Sequence, residues 1–162
     1  MHTQILVAHP YKHHALHLAA GCAQSGRSTA FALPFYRTGL GAAVARIPGA
    51  VGRKAAGYFH PALGATTLQS PIWQLRKLVS FLGDPRSIEV PYDRYVASQI
   101  LRGRWRAQVV VTLQDHMPLT SAAARQTGAM LWSDQIINSS VAARARIAAH
   151  SPDGRRRHPE IS

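Results

Sequence analysis

Apolar residues along the chain alternate between two periods. Gln4 to His9 is a short, nearly continuous apolar run closed by Pro10, the pattern of a strand buried on both faces of a parallel sheet. From His13 to Gln24, residues Ala15, Leu18, Ala19 and Cys22 recur at helical spacing, and Ser25-Gly26 supplies a stop. Ser28 to Phe35 reads as a second strand with Pro34 at its end. Residues 37 to 61 scatter Gly39, Gly41, Gly49, Gly52 and Gly57 among Arg46, Arg53 and Lys54, which predicts a long connection holding a short basic helix around Ala42 to Arg46. Ala65 to Gln69 predicts a third strand. After Pro71, Ile72, Leu75, Leu78, Val79 and Leu82 trace the apolar face of a helix. A further helix begins near Pro91, with Tyr92, Tyr95, Val96, Ile100 and Leu101 turned inward. The β-branched run from Ala107 to Leu113 is a strand, Leu119 to Thr127 a helix stopped by Gly128, and Ala129 to Trp132 another strand. Val141 to His150 predicts a last helix, beyond which apolar periodicity ends.

Strand and helix alternate throughout and no internal repeat interrupts them. The expected fold is α/β, a single Rossmann-like doubly wound parallel sheet with helices on both faces, over residues 1–150, followed by a disordered basic tail at 151–162. Composition agrees: 162 residues suit one core, and 46% hydrophobic against 16% charged residues is a globular balance. Cys22 is the single cysteine, which excludes an internal disulfide and a thiolate metal cluster and fits a reducing cytoplasm. Apolar runs stay shorter than the roughly 18 residues that a membrane-spanning helix requires.

Charge adds a preference for anionic partners. Nineteen Lys and Arg face seven acids, for a formal charge of +12. The cations are arginines apart from Lys12, Lys54 and Lys77, a skew that accompanies abundant alanine and reads as compositional, so a nucleic-acid partner is not expected. The charge is suited to holding the protein at an anionic membrane surface, peripheral to its cytoplasmic face.

In open α/β sheets ligands bind outside the carboxyl ends of the strands, which gathers the loop from His9 to His14, Gln114 to His116, and Ser133 to Gln135 on one rim. Within that loop His9, Tyr11, Lys12, His13 and His14 are candidates for holding a phosphate or sugar hydroxyls beside a helix amino terminus, against the plainer reading of a solvated loop. Asp115 could accept a hydrogen bond from a ligand hydroxyl or cap the next helix. His9, His13, His14 and His17 invite a metal, but no glutamate lies beside them and no third ligand is apparent, so none is expected. Tyr92, Tyr95, Trp105 and Trp132 read as packing residues, and a Gly-x-Gly-x-x-Gly dinucleotide fingerprint is absent after the first strand.

Ile5-Leu6-Val7-Ala8-His9-Pro10, the strand from Thr29 to Tyr36, Tyr92-Asp93-Arg94-Tyr95-Val96-Ala97, and Ala122 to Gly128 followed by Met130-Leu131-Trp132-Ser133-Asp134-Gln135 together resemble the amino-terminal domain of family-four-like retaining glycosyltransferases of the GT-B fold. The similarity spans roughly residues 4 to 150. It implies the acceptor-binding half of a nucleotide-sugar-dependent transferase of cell-envelope glycans, with His116 as the hydrogen-bonding group near the reacting carbon and Asp134 on the substrate rim. The family's second domain, which grips the nucleotide sugar, has no counterpart here, and the family's Glu-rich helix after Asp134-Gln135 is replaced by Val141 to His150. The resemblance thus implies a half inactive alone, with no cofactor, whose partners are a sugar acceptor and a separately encoded carboxy-terminal domain carrying the donor. Two other readings stand beside it. Ala8 to His14 also resembles the FMN phosphate loop of flavodoxin-like quinone reductases, whose Trp- and Gly-rich flavin loops are missing, and the chain could be a non-catalytic binding subunit.

Overall fold

The computed structural model describes residues 2–11, 13–68, 70–112 and 116–133. Five strands, β1 (His2–Ala8), β2 (Thr29–Ala32), β3 (Thr67–Leu68), β4 (Arg106–Thr112) and β5 (Met130–Ser133), form one sheet. All pairings are parallel and the order is β3-β2-β1-β4-β5. The fold is therefore α/β and consistent with a Rossmann-like domain, whose order of 3-2-1-4-5 it shares; flavodoxin-like sheets run 2-1-3-4-5. β1 lies at the centre, paired with β2 from Ile5 to Ala8 and with β4 from His2 to Ala8. Leu6, Val7 and Ala8 are accordingly buried, as their continuous apolar run requires.

Helices α1 (His13–Gln24), α2 (Leu40–Val44), α3 (Ala50–Ala56), α4 (Pro71–Leu82), α5 (Glu89–Leu101) and α6 (Pro118–Gln126) cover the two faces. Alternate β1 residues feed two cores. Leu6 and Ala8 pack with Tyr92, Val96 and Ile100 of α5 and Ala123 and Ala124 of α6, while Val7 packs with Ala15, Leu16 and Ala19 of α1 and with Phe35 and Tyr36. Gly128, with φ of 75°, closes α6 in the left-handed conformation that its sequence position predicts.

The connection from 37 to 61 holds two short helices rather than the single one expected around Ala42 to Arg46. It folds back because Tyr36 bridges it: the Tyr36 hydroxyl donates to the His60 carbonyl at 2.5 Å and accepts from the His60 amide at 2.8 Å. Gly41 permits the close return, since a Cβ there would stand 2.0 Å from the Tyr36 carbonyl oxygen.

Two expectations of packing are corrected. In α4 most of the apolar stripe faces out: Ile72, Leu75 and Val79 are 64%, 58% and 64% exposed, Leu78 is half-buried against the core that includes α1, and Trp73, Gln74, Lys77 and Ser80 face in. Trp73 decides the rotation, with its ring 5.3 Å from that of Tyr92 and 5.2 Å from that of Tyr95. One indole among aromatics outweighs several aliphatic contacts, and the Lys77 stem can be buried beside it. Leu101 and Trp132, read as packing residues, are also exposed, Leu101 as the last residue of α5 and Trp132 on the edge strand β5. The predicted helix at 141–150 and the tail at 151–162 lie outside the described residues, and among those described no helix is long and apolar enough to cross a membrane.

Candidate functional site

The carboxyl ends of β1 and β4 bring together residues that are far apart in sequence. His9 continues the line of β1, its amide donating to the Ala32 carbonyl at 3.1 Å. Its Nδ1 lies 2.9 Å from the Tyr11 amide nitrogen and 2.7 Å from the Tyr11 carbonyl oxygen, so the ring meets a partner in either tautomer. This local turn fixes the direction in which Tyr11 leaves the strand. The Tyr11 hydroxyl donates to Glu89 Oε1, and the other carboxylate oxygen, Oε2, lies 3.2 Å from His116 Nδ1. A single carboxylate thus joins the β1 loop to the segment after β4.

Glu89 is held there by two features. It is the first residue of α5, where the helix dipole favours a negative charge, and a 3-10 turn at Pro85–Ile88 delivers it. That turn is itself capped, the Arg86 amide donating to Asp84 Oδ1 at 2.9 Å. The Tyr11 ring meets His9 and His116 edge-on, each at 6.1 Å between centroids.

Beneath this set sits Lys77, 1% exposed, with Nζ 4.3 Å from the centre of the Tyr11 ring. Burial pushes its ammonium down from 10.5 to about 8; Glu89 opposes that shift and Lys54 adds to it. The Tyr11 phenol is pushed the other way, raised by burial first and then by the hydrogen bond to Glu89 and its negative charge. The site therefore combines a carboxylate, a phenol that stays protonated, an imidazole and an ammonium of lowered affinity for its proton. Such a set can accept and donate hydrogen bonds to a polyol and can carry a proton on or off a hydroxyl through the imidazole. His116 is half-exposed, and Nε2 is the nitrogen not engaged with Glu89.

Among the expected site residues, His9, Tyr11 and His116 converge. Of His13 and His14 the backbone alone is described, opening α1, and Lys12, Asp115 and Asp134 lie outside the described residues. The α6 amino terminus is served by Asp93 of α5. Its carboxylate accepts from the Leu119 amide at 2.8 Å and the Thr120 amide at 2.7 Å. Among the described residues no three His, Cys, Asp or Glu side chains gather as a metal site, and His17 instead meets the ring of His60 edge-on at 6.1 Å. Glu89 and Lys77 were missed from sequence. The signal for Glu89 is scarcity: in a chain of seven acids, one just ahead of a proline at a helix start is conspicuous. Lys77 carried none, because its neighbours predict the opposite rotation of α4.

No family model, no characterised protein and no solved structure matches the chain. Function is consequently read from the cluster and the topology.

Proposed function

We propose that the chain binds a sugar-bearing acceptor at the carboxyl rim of β1 and β4, as the acceptor-side half of a retaining, nucleotide-sugar-dependent glycosyltransferase of envelope glycans. The observation that carries this reading is the set Tyr11, Glu89 and His116, joined through one carboxylate at the ligand-binding rim of the sheet. Retaining transfer asks little of an acceptor-side domain beyond holding a hydroxyl in place and hydrogen-bonding near the reacting carbon. In this reading His116 meets the acceptor hydroxyl through Nε2, Glu89 fixes the imidazole through Nδ1, and Tyr11 holds Glu89 against the strand end. The donor is held by a separate carboxy-terminal domain, without which transfer is negligible, because the two substrates are closed upon each other between two bodies. The sheet order counts against the FMN alternative, since a flavodoxin-like phosphate loop belongs to the 2-1-3-4-5 arrangement.

Isothermal titration of the chain with UDP-sugars, GDP-sugars, FMN and a panel of oligosaccharide and glycolipid acceptors tests the reading. Acceptor binding that weakens about tenfold in Glu89→Gln and His116→Ala, without nucleotide-sugar binding, is the expected result; a tenfold loss corresponds to about 1.4 kcal/mol, one charge-assisted hydrogen bond. Tight FMN binding with a yellow protein would overturn it.

A further inference from the structure

Helix α4 turns Trp73, Gln74, Lys77 and Ser80 inward, which leaves an apolar stripe of Ile72, Leu75 and Val79 on the surface at intervals of three and four residues. The adjoining start of α5 adds Val90, also exposed. Between the two helices run two grooves of about 440 and 390 Å³ that share Trp73, Arg76 and Pro91. The charged residues that line these grooves, Arg76 and Arg94, are of one sign. Arg76 lies against the Trp73 ring at 4.9 Å, Arg94 lines the neighbouring groove, and both are exposed. Among the described residues the acids near this face are turned elsewhere: Glu89 to Tyr11 and His116, Asp93 to the α6 amides, and Asp84 to the 3-10 turn.

We infer that this face docks on an anionic phospholipid bilayer, with Ile72, Leu75, Val79 and Val90 entering the headgroup boundary and Arg76 and Arg94 meeting lipid phosphates. An exposed aliphatic stripe rimmed by arginines is the chemistry of a helix lying in the interface plane. Charge separates this occupant from a second copy of the chain. A symmetric dimer through the same face would set arginines against arginines with the nearby acids already engaged, whereas a phosphate surface neutralises them. The inference is independent of the acceptor reading, since it uses the outer surface of α4 and α5 and not the cluster at the strand ends.

Co-flotation of the full chain with vesicles is the test, using phosphatidylcholine alone and phosphatidylcholine with about 30% phosphatidylglycerol. Partitioning onto the anionic vesicles should be at least about tenfold stronger. Arg76→Glu with Arg94→Glu should lower it by about tenfold or more, as should Leu75→Asp with Val79→Asp, while Arg27→Glu with Arg53→Glu should stay within about threefold. The last pair makes the same change in net charge in exposed positions outside this face, so equal losses for both arginine pairs would reduce the effect to net charge and overturn the proposal. Equal binding to both vesicle types, or none, would overturn it as well. A concentration-dependent dimer that Leu75→Asp with Val79→Asp dissolves, without vesicle binding, would assign the face to a second copy and do the same. Circular dichroism melts of each variant confirm that the comparison is between folded proteins.

Discussion

At Lys77 an ammonium is held almost without exposed surface over the rings of Tyr11 and Phe81, and the consequence is a stability that depends on pH in a stated direction. Its folded pKa of about 8 lies below the ordinary 10.5. Between those values the unfolded chain binds more protons than the folded one, so stability rises as pH increases from about 8 to 10.5. Tyrosines oppose the rise at the upper end of that window and continue beyond it. Tyr58 is pushed by burial from 10.0 to about 12, so its unfolded form ionises first and stability falls beyond pH 10. Urea midpoints measured from pH 7 to 11 should therefore pass through a maximum near pH 10, with a rise of roughly 2 kcal/mol on the acid side. Lys77→Met should abolish the rise and keep the fall; an unchanged rise in that variant would remove Lys77 as its source. Glu89 leaves a separate signature on Tyr11, because its hydrogen bond and its charge both hold the phenol protonated. In Glu89→Gln the Tyr11 pKa should drop but remain above 10.0, since burial is the larger cause and persists. Titration of carbon-13-labelled tyrosine by NMR should show this resonance moving furthest; an unshifted Tyr11 would mean that Glu89 does not reach it in solution.

Among the elements, α6 depends on a neighbour for its amino terminus. Its own cap residue, Met117, offers no side-chain acceptor, and Asp93 on α5 receives the amides of Leu119 and Thr120 from a buried position. Asp93→Ala should cost about 2–3 kcal/mol, because two donors, one buried and one part-buried, lose a charged acceptor, and Asp93→Asn about half of that, because one amide oxygen replaces two carboxylate oxygens. Equal costs for the two variants in chemical denaturation would show that charge, not acceptor count, is what matters. The same pair of helices marks how far the sequence could be read. The strands, their parallel pairing and the limits of α1 followed from apolar periodicity, since Leu6 to Ala8 and Val109 to Val111 have no other favourable environment than a covered sheet. The helix that Asp93 caps was visible, but the cap was not, because it arrives from 26 residues upstream in sequence. The rotation of α4 does not follow from helical spacing for a related reason. Periodicity weighs Ile72, Leu75 and Val79 alone, whereas packing weighs them against a Trp73 that finds Tyr92 and Tyr95 across the interface. His9, Tyr11 and His116 were legible as rim residues from their places after strands, but Glu89, which connects two of them, sits at a helix start and becomes part of the site only through the fold.

For the whole molecule, a formal net charge of +12 over 162 residues, nineteen Lys and Arg against seven acids, makes the compact state self-repelling. Two of those few acids are engaged within the fold: Asp93 is buried on the α6 amides and Glu89 is shared between Tyr11 and His116. Screening should thus favour folding. Between about 0.01 and 0.15 M sodium chloride, over which the Debye length contracts from roughly 30 to 8 Å, the thermal midpoint should rise by a few degrees, and sulfate should raise it further at equal ionic strength. Docking of the α4–α5 face on anionic vesicles should move oppositely, because the same screening weakens the attraction between arginines and lipid phosphates. The opposed signs separate the two processes in a single titration. If vesicle binding fell with salt because the chain unfolded, the midpoint would fall alongside it; if the midpoint rises while binding falls, the loss belongs to the interface. A midpoint that falls with added salt would instead mean that favourable ion pairs outweigh the net repulsion, and the excess of arginine would have to be matched by pairings beyond the Glu89 and His116 contact.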